Sequence, residues 1–71
     1  MKKDVDIEKT YSLNEFVSKL RRLADCLEQG KRFEIMIAGE RVYVPVRARC
    51  NIEHEREEGS EEIEFQIKWK S

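Results

Sequence analysis

Seventy-one residues limit the chain to one domain with a modest core. A hydrophobic share of 39% set in periodic patterns, beside 41% charged residues, excludes a disordered chain and describes a folded unit with a heavily ionised surface. Fourteen basic residues against fifteen acidic ones give a net charge of −1, which excludes the global basic excess typical of nucleic-acid binders or proteins drawn to anionic membranes.

Residues 4–8 alternate polar and apolar side chains, with Val5 and Ile7 between charged neighbours, and predict a half-exposed strand. Ser12 and Glu15 then form a capping box, in which the serine oxygen accepts an amide hydrogen three residues on. Leu13, Phe16, Val17, Leu20, Leu23, Ala24 and Leu27 follow at steps of three and four, placing one apolar stripe on a helix over about residues 13–29. Gly30 supplies the left-handed residue that ends it.

A strand is predicted over 33–38, a II′ turn at Gly39-Glu40, and a returning strand from Arg41. That turn opposes Ala38 with Arg41, Ile37 with Val42, and Ile35 with Val44. Pro45 lacks the amide hydrogen a continuing ladder needs, so the ladder is expected to stop there with a bend or bulge. Val46, Ala48, Cys50 and Ile52 keep the inward parity beyond it, which gives a long strand over about 41–54, in one piece or two halves. Residues 54–61 form a polar, Glu-rich turn. The last strand, 62–70, alternates without a break: Ile63, Phe65, Ile67 and Trp69 face one way and charged or polar residues the other.

The result is a two-layer α+β domain over 1–71 in β-α-β-β-β order, with one helix on a mainly antiparallel four-stranded sheet. The first strand has three places open to it: beside the second, beside the fourth, or across a dimer.

The closing strand, Glu62-Ile63-Glu64-Phe65-Gln66-Ile67-Lys68-Trp69, resembles the amphi-Trp family of small prokaryotic proteins, named for an amphipathic strand that closes on a tryptophan. The Val44-Pro45-Val46 step and the Glu-rich stretch before the last strand are similar too. The resemblance covers most of the chain and implies a compact α+β domain without an assigned activity. It brings no catalytic residues with it.

The residues themselves offer little chemistry. Cys26, Cys50 and His54 are the only soft ligands. Cys50 and His54 sit about 13 Å apart along a strand, too far to share a zinc ion. Two cysteines make no disulfide framework, and a Cys26–Cys50 bond is not expected in a reducing compartment. Cys50 lies in an apolar row that leaves a thiol inert, and His54 has no partnered nucleophile. No glycine loop cradles phosphate. The expectation is no enzyme, no metal and no cofactor. Residues 1–6 lack the apolar stretch of a signal peptide and no apolar run approaches a bilayer span, so the expected location is cytoplasmic, with reduced thiols and no membrane contact.

Two surfaces stand out. Arg41, Tyr43, Arg47 and Arg49 share parity on the outer sheet face, where Lys31 and Arg32 join them as a basic patch around one aromatic platform, the pattern of a single-strand nucleic-acid binder. The bland counterpart is cross-strand ion pairing with Glu34, Glu62 and Glu64. Trp69 is expected to cap the core beneath the helix; the other reading places it at the sheet margin as an anchor for a partner or a second copy. By elimination of chemistry, the expected role is a small interaction module with a protein partner or itself, with homodimerisation favoured by the short chain. Nucleic-acid binding through Arg41, Tyr43, Arg47 and Arg49 is the alternative.

Overall fold

A computed structural model describes residues 7–71 and confirms the α+β class. The helix, α1, spans Leu13–Gln29, where the apolar periodicity placed it. Its first turn is closed by Ser12, whose hydroxyl oxygen accepts the Glu15 amide at 3.3 Å. The Glu15 carboxylate accepts the Ser12 hydroxyl in return at 3.0 Å, so the box closes side chain to side chain. Gly30 ends the helix at φ 66, and the Lys31 amide donates to the Cys26 carbonyl at 2.9 Å in a Schellman arrangement.

Four strands follow as two hairpins: β1 (Phe33–Ile37) with β2 (Glu40–Val44), and β3 (Arg49–Glu57) with β4 (Ser60–Lys68). Each is antiparallel, and no ladder joins them among the described residues. The expected single four-stranded sheet is therefore corrected to two two-stranded ones. Pro45 is the physical reason. The first ladder stops at Val44, and the Ala48 amide donates to the Pro45 carbonyl at 3.1 Å in a turn that redirects the chain before β3 begins. The long third strand is thus split in two. The N-terminal strand expected at 4–8 falls largely outside the described residues, and Ile7 and Glu8 belong to no strand.

The first hairpin also corrects the register. Its turn lies at Ala38-Gly39, with φ of 49 and 84, so both central residues are left-handed as a I′ turn requires. Ile35 consequently opposes Val42, and Phe33 opposes Val44. The II′ turn at Gly39-Glu40 would have set Phe33 against Val46, past the proline, where no ladder exists. The observed turn costs about 1 kcal/mol at Ala38, whose Cβ crowds the backbone in that conformation. It brings together the two most buried side chains of the described residues, Phe33 at 4% exposure and Val44 at 6%. Burying one such side chain contributes about 1.5–3 kcal/mol, so packing outweighs the turn strain.

The helix packs on β1. Phe33, Ile35 and Ile37 face it across the hairpin's inner side, with Val42 and Val44 beside them. Arg22 straps this lobe, with its guanidinium 5.2 Å from the Phe33 ring centre and its Nη1 donating to the Glu34 carbonyl at 3.4 Å. The Tyr11 hydroxyl donates to the Met36 carbonyl at 3.2 Å and fastens the segment before the helix.

The second hairpin has no such cover. Ile52 and Phe65 are cross-strand partners, each 67% exposed, and Ile63 is 66% exposed. The expectation that these residues form a core beneath the helix is overturned. One helical stripe covers one two-stranded hairpin, and α1 is committed to the first.

Candidate functional site

The five residues singled out from sequence do not form one surface. Arg41 and Tyr43 lie on β2, on the outer side of the first hairpin, and both are engaged. Arg41 Nε stands 3.5 Å from the Glu34 carboxylate, and the Arg32 guanidinium stacks 4.7 Å from the Tyr43 ring centre. That ring face is taken by a cation of the same chain, and the cross-strand ion pair is the one the alternating pattern anticipated with Glu34. Glu62 and Glu64, expected on this same face, belong to the other hairpin.

Arg47, Arg49 and Trp69 do come together, at the root of the second hairpin. With Cys50, Asn51, Lys68 and Lys70 they line an open cleft, and no carboxylate is among its lining residues. Arg47 Nη2 donates to the Lys70 carbonyl at 2.6 Å and ties the end of the chain to the turn after Pro45. Trp69 is half-buried in this cleft, and the lining includes no helix residue. The placement of Trp69 beneath the helix is corrected to the sheet margin.

The hairpin has two unlike faces. Antiparallel partners share a face, so Cys50 with Ile67, Ile52 with Phe65, and His54 with Ile63 form an apolar side. Residues 54–61, read from sequence as a turn, instead continue both strands to a two-residue turn at Glu58-Gly59. The overlooked signal is the alternation of His54 and Arg56 with glutamates up to that glycine. Near the tip, Glu61 accepts from Arg56 Nε at 3.2 Å and lies 3.0 Å from His54 Nε2.

On the polar side, the charged cross-strand pairs are all of like sign: Arg49 opposes Lys68, Glu53 opposes Glu64, and Glu55 opposes Glu62. Like charges directly opposite one another destabilise a strand pair. Carboxylate oxygens of Glu55, Glu62 and Glu64 all lie within 4.8 Å of one another. Crowding separates their titration. Glu62 is held above its ordinary value of 4.5, first by its hydrogen bond to Glu64 and then by the charges of Glu64, Glu55 and Glu53. Glu64 is held below 4.5, because it accepts from Glu62 and from Gln66, whose Nε2 lies 2.8 Å away. Among the described residues this is the one grouping of carboxylate, thiol or imidazole side chains close enough to share an ion.

A second concavity of about 520 Å³ lies between the segment before α1, the helix and β1, over Phe16, Leu20, Phe33 and Ile35. No helix among the described residues is long and apolar enough to cross a membrane.

Against known families, the model of the Amphi-Trp domain matches residues 1–71, the whole chain. No curated protein and no solved structure matches it.

Proposed function

The chain belongs to the amphi-Trp family, which has no assigned activity, and from that premise we propose that it is a non-enzymatic interaction module that works by self-association through its second hairpin. The observation that carries this reading is the exposure of Ile52, Ile63 and Phe65 side by side on one face, at about two-thirds each. An isolated two-stranded hairpin is marginal in water, and one with an open apolar face gains most from a second copy that extends or covers it. Exposed apolar residues on the helix, Leu13, Phe16, Leu20 and Leu27, add to the surface a second copy can cover. The free thiols of Cys26 and Cys50 suit a cytoplasmic setting.

Sedimentation equilibrium tests the reading. The wild-type chain is expected to reach twice its chain mass as concentration rises, and Phe65→Asp to hold it at one. A wild-type chain that stays monomeric throughout refutes it.

A second reading has the cleft of Arg47, Arg49, Lys68, Lys70 and Trp69 in its favour, where four cations and an indole line one concavity whose lining holds no Asp or Glu. Single-stranded nucleic acid suits that combination of backbone charge and a stacking platform. Affinity for an oligonucleotide that falls steeply with salt and is lost in Arg47→Glu/Arg49→Glu supports it.

A further inference from the structure

The polar side of β4 carries Glu62, Glu64, Gln66 and Lys68 in alternate positions, and Lys70, two residues past the strand's end, continues the sequence alternation: two acids, one neutral amide and two bases. Read in the opposite direction, the order of charge inverts. Two such strands laid antiparallel with Gln66 at the two-fold axis therefore set Glu64 against the partner's Lys68 and Glu62 against the partner's Lys70. On the other side, Phe65 meets the partner's Ile67, and Ile63 meets the partner's Trp69. A register centred on Phe65 is poorer, since it opposes Glu64 with Gln66 and leaves Lys70 facing Ser60.

We propose that β4 is the dimerising edge, and that two copies join β4 to β4 antiparallel about Gln66 in a continuous four-stranded sheet β3-β4-β4-β3. This rests on the self-association proposed above and specifies its partner surface and register. An interface of this kind is isologous, so each pairing is made twice.

Three observations converge on it. Among the described residues β4 is hydrogen-bonded on one edge only, to β3. A two-residue turn joining Glu57 to Ser60 closes on a hydrogen-bonded pair, which directs the even-numbered residues of β4 toward β3. The amides of Ile63, Phe65 and Ile67 then point outward, and an antiparallel neighbour satisfies them. In that neighbour's register, the Glu–Lys pairs occupy the non-hydrogen-bonded sites, where side chains approach most closely. Finally, the like-charge pairs within the hairpin receive counterions. Glu64 and Glu62, opposed inside the chain by Glu53 and Glu55, gain lysines on their free side.

Face-to-face stacking of two apolar sides is the competing arrangement. It points Glu62, Glu64, Lys68 and Lys70 away from the partner, so the two geometries respond differently to charge reversal.

The decisive experiment is sedimentation of two reversed variants, Glu62→Lys/Glu64→Lys and Lys68→Glu/Lys70→Glu, alone and mixed. Each alone sets like charges across β4–β4 and is expected to weaken the dimer about a hundredfold. The equimolar mixture restores all four pairings and is expected to recover a heterodimer of near wild-type affinity. Neither variant is expected to harm the hairpin itself, because each relieves a like-charge pair within it; circular dichroism checks this. Hydrogen exchange supplies the second measure, with the Phe65 and Ile67 amides protected in the dimer and exposed on dilution to monomer. A wild-type dimer indifferent to both reversals overturns the register and leaves self-association standing. Protection that persists unchanged in the monomer overturns the edge itself, since that edge is then occupied within one chain. A wild-type chain that never dimerises removes both proposals.

Discussion

The two hairpins of this chain share one architecture and differ in what covers them. Both are antiparallel with two-residue turns, and both carry alternating apolar and polar residues. The first lies under α1 and owns the buried pair Phe33 and Val44. The second turns Ile52, Ile63 and Phe65 to solvent. Alternation therefore records that a face is meant to be covered and is silent on what covers it. Inside one chain the helix serves the first hairpin, and the second stays open.

Mutations at matched positions sharpen the contrast. Phe33→Ala is expected to cost about 3–5 kcal/mol in thermal or denaturant unfolding, a loss that few domains of this length survive. The matched change in the second hairpin, Phe65→Ala, is expected to leave the unfolding of a dilute monomer within about 0.5 kcal/mol of wild type, because the ring is already 67% exposed. Its effect should appear as weakened association when concentration is raised. Equal losses of monomer stability at both sites would break the comparison.

The turns give a smaller effect. Ala38 holds φ 49 in the first turn, a conformation that glycine adopts without strain. Ala38→Gly is expected to stabilise the chain by up to about 1 kcal/mol, read as a rise in denaturation midpoint with an unchanged slope.

The smallest expected effect is electrostatic and belongs to the second hairpin alone. Glu62 titrates above 4.5 and Glu64 below it. A raised carboxyl favours the protonated fold, so the Glu62 contribution is lost as pH climbs through its elevated value. A depressed one favours the ionised fold, so the Glu64 contribution is present above 4.5 and lost as pH falls through its lowered value. These two terms together favour the hairpin most between the two values, and weakly, since both groups meet solvent. Carboxyl carbon shifts followed by NMR should show the split. Glu55→Gln should lower the Glu62 value, and so should dimerisation, because the partner's Lys70 then stands beside it. A Glu62 value that does not move with concentration speaks against that neighbour.

Much of this fold was legible residue by residue. Ser12 and Gly30 bounded the helix because capping is local chemistry, completed within a few residues. Pro45 ended a ladder because a missing amide hydrogen has the same consequence in any context. The register of the first hairpin was not legible. Two turns one residue apart both fit a glycine, and the choice fell to the Phe33–Val44 contact, which exists only once the helix lies over it. The candidate site divided for a similar reason. Arg41, Tyr43, Arg47 and Arg49 share parity along an unbroken strand, but the turn at 45–48 breaks that strand, keeps Arg47 in the turn and sends Arg49 to another sheet.

By itself, then, the order of residues determined the helix and its ends, the presence of the first hairpin, the stop at Pro45 and the amphipathic character of the closing strand. Those properties depend on backbone valence and on side chains a few positions apart. Which faces meet was decided only in three dimensions. Burial is a competition among distant surfaces for a limited apolar cover, and here one helix covered one hairpin and left the other open.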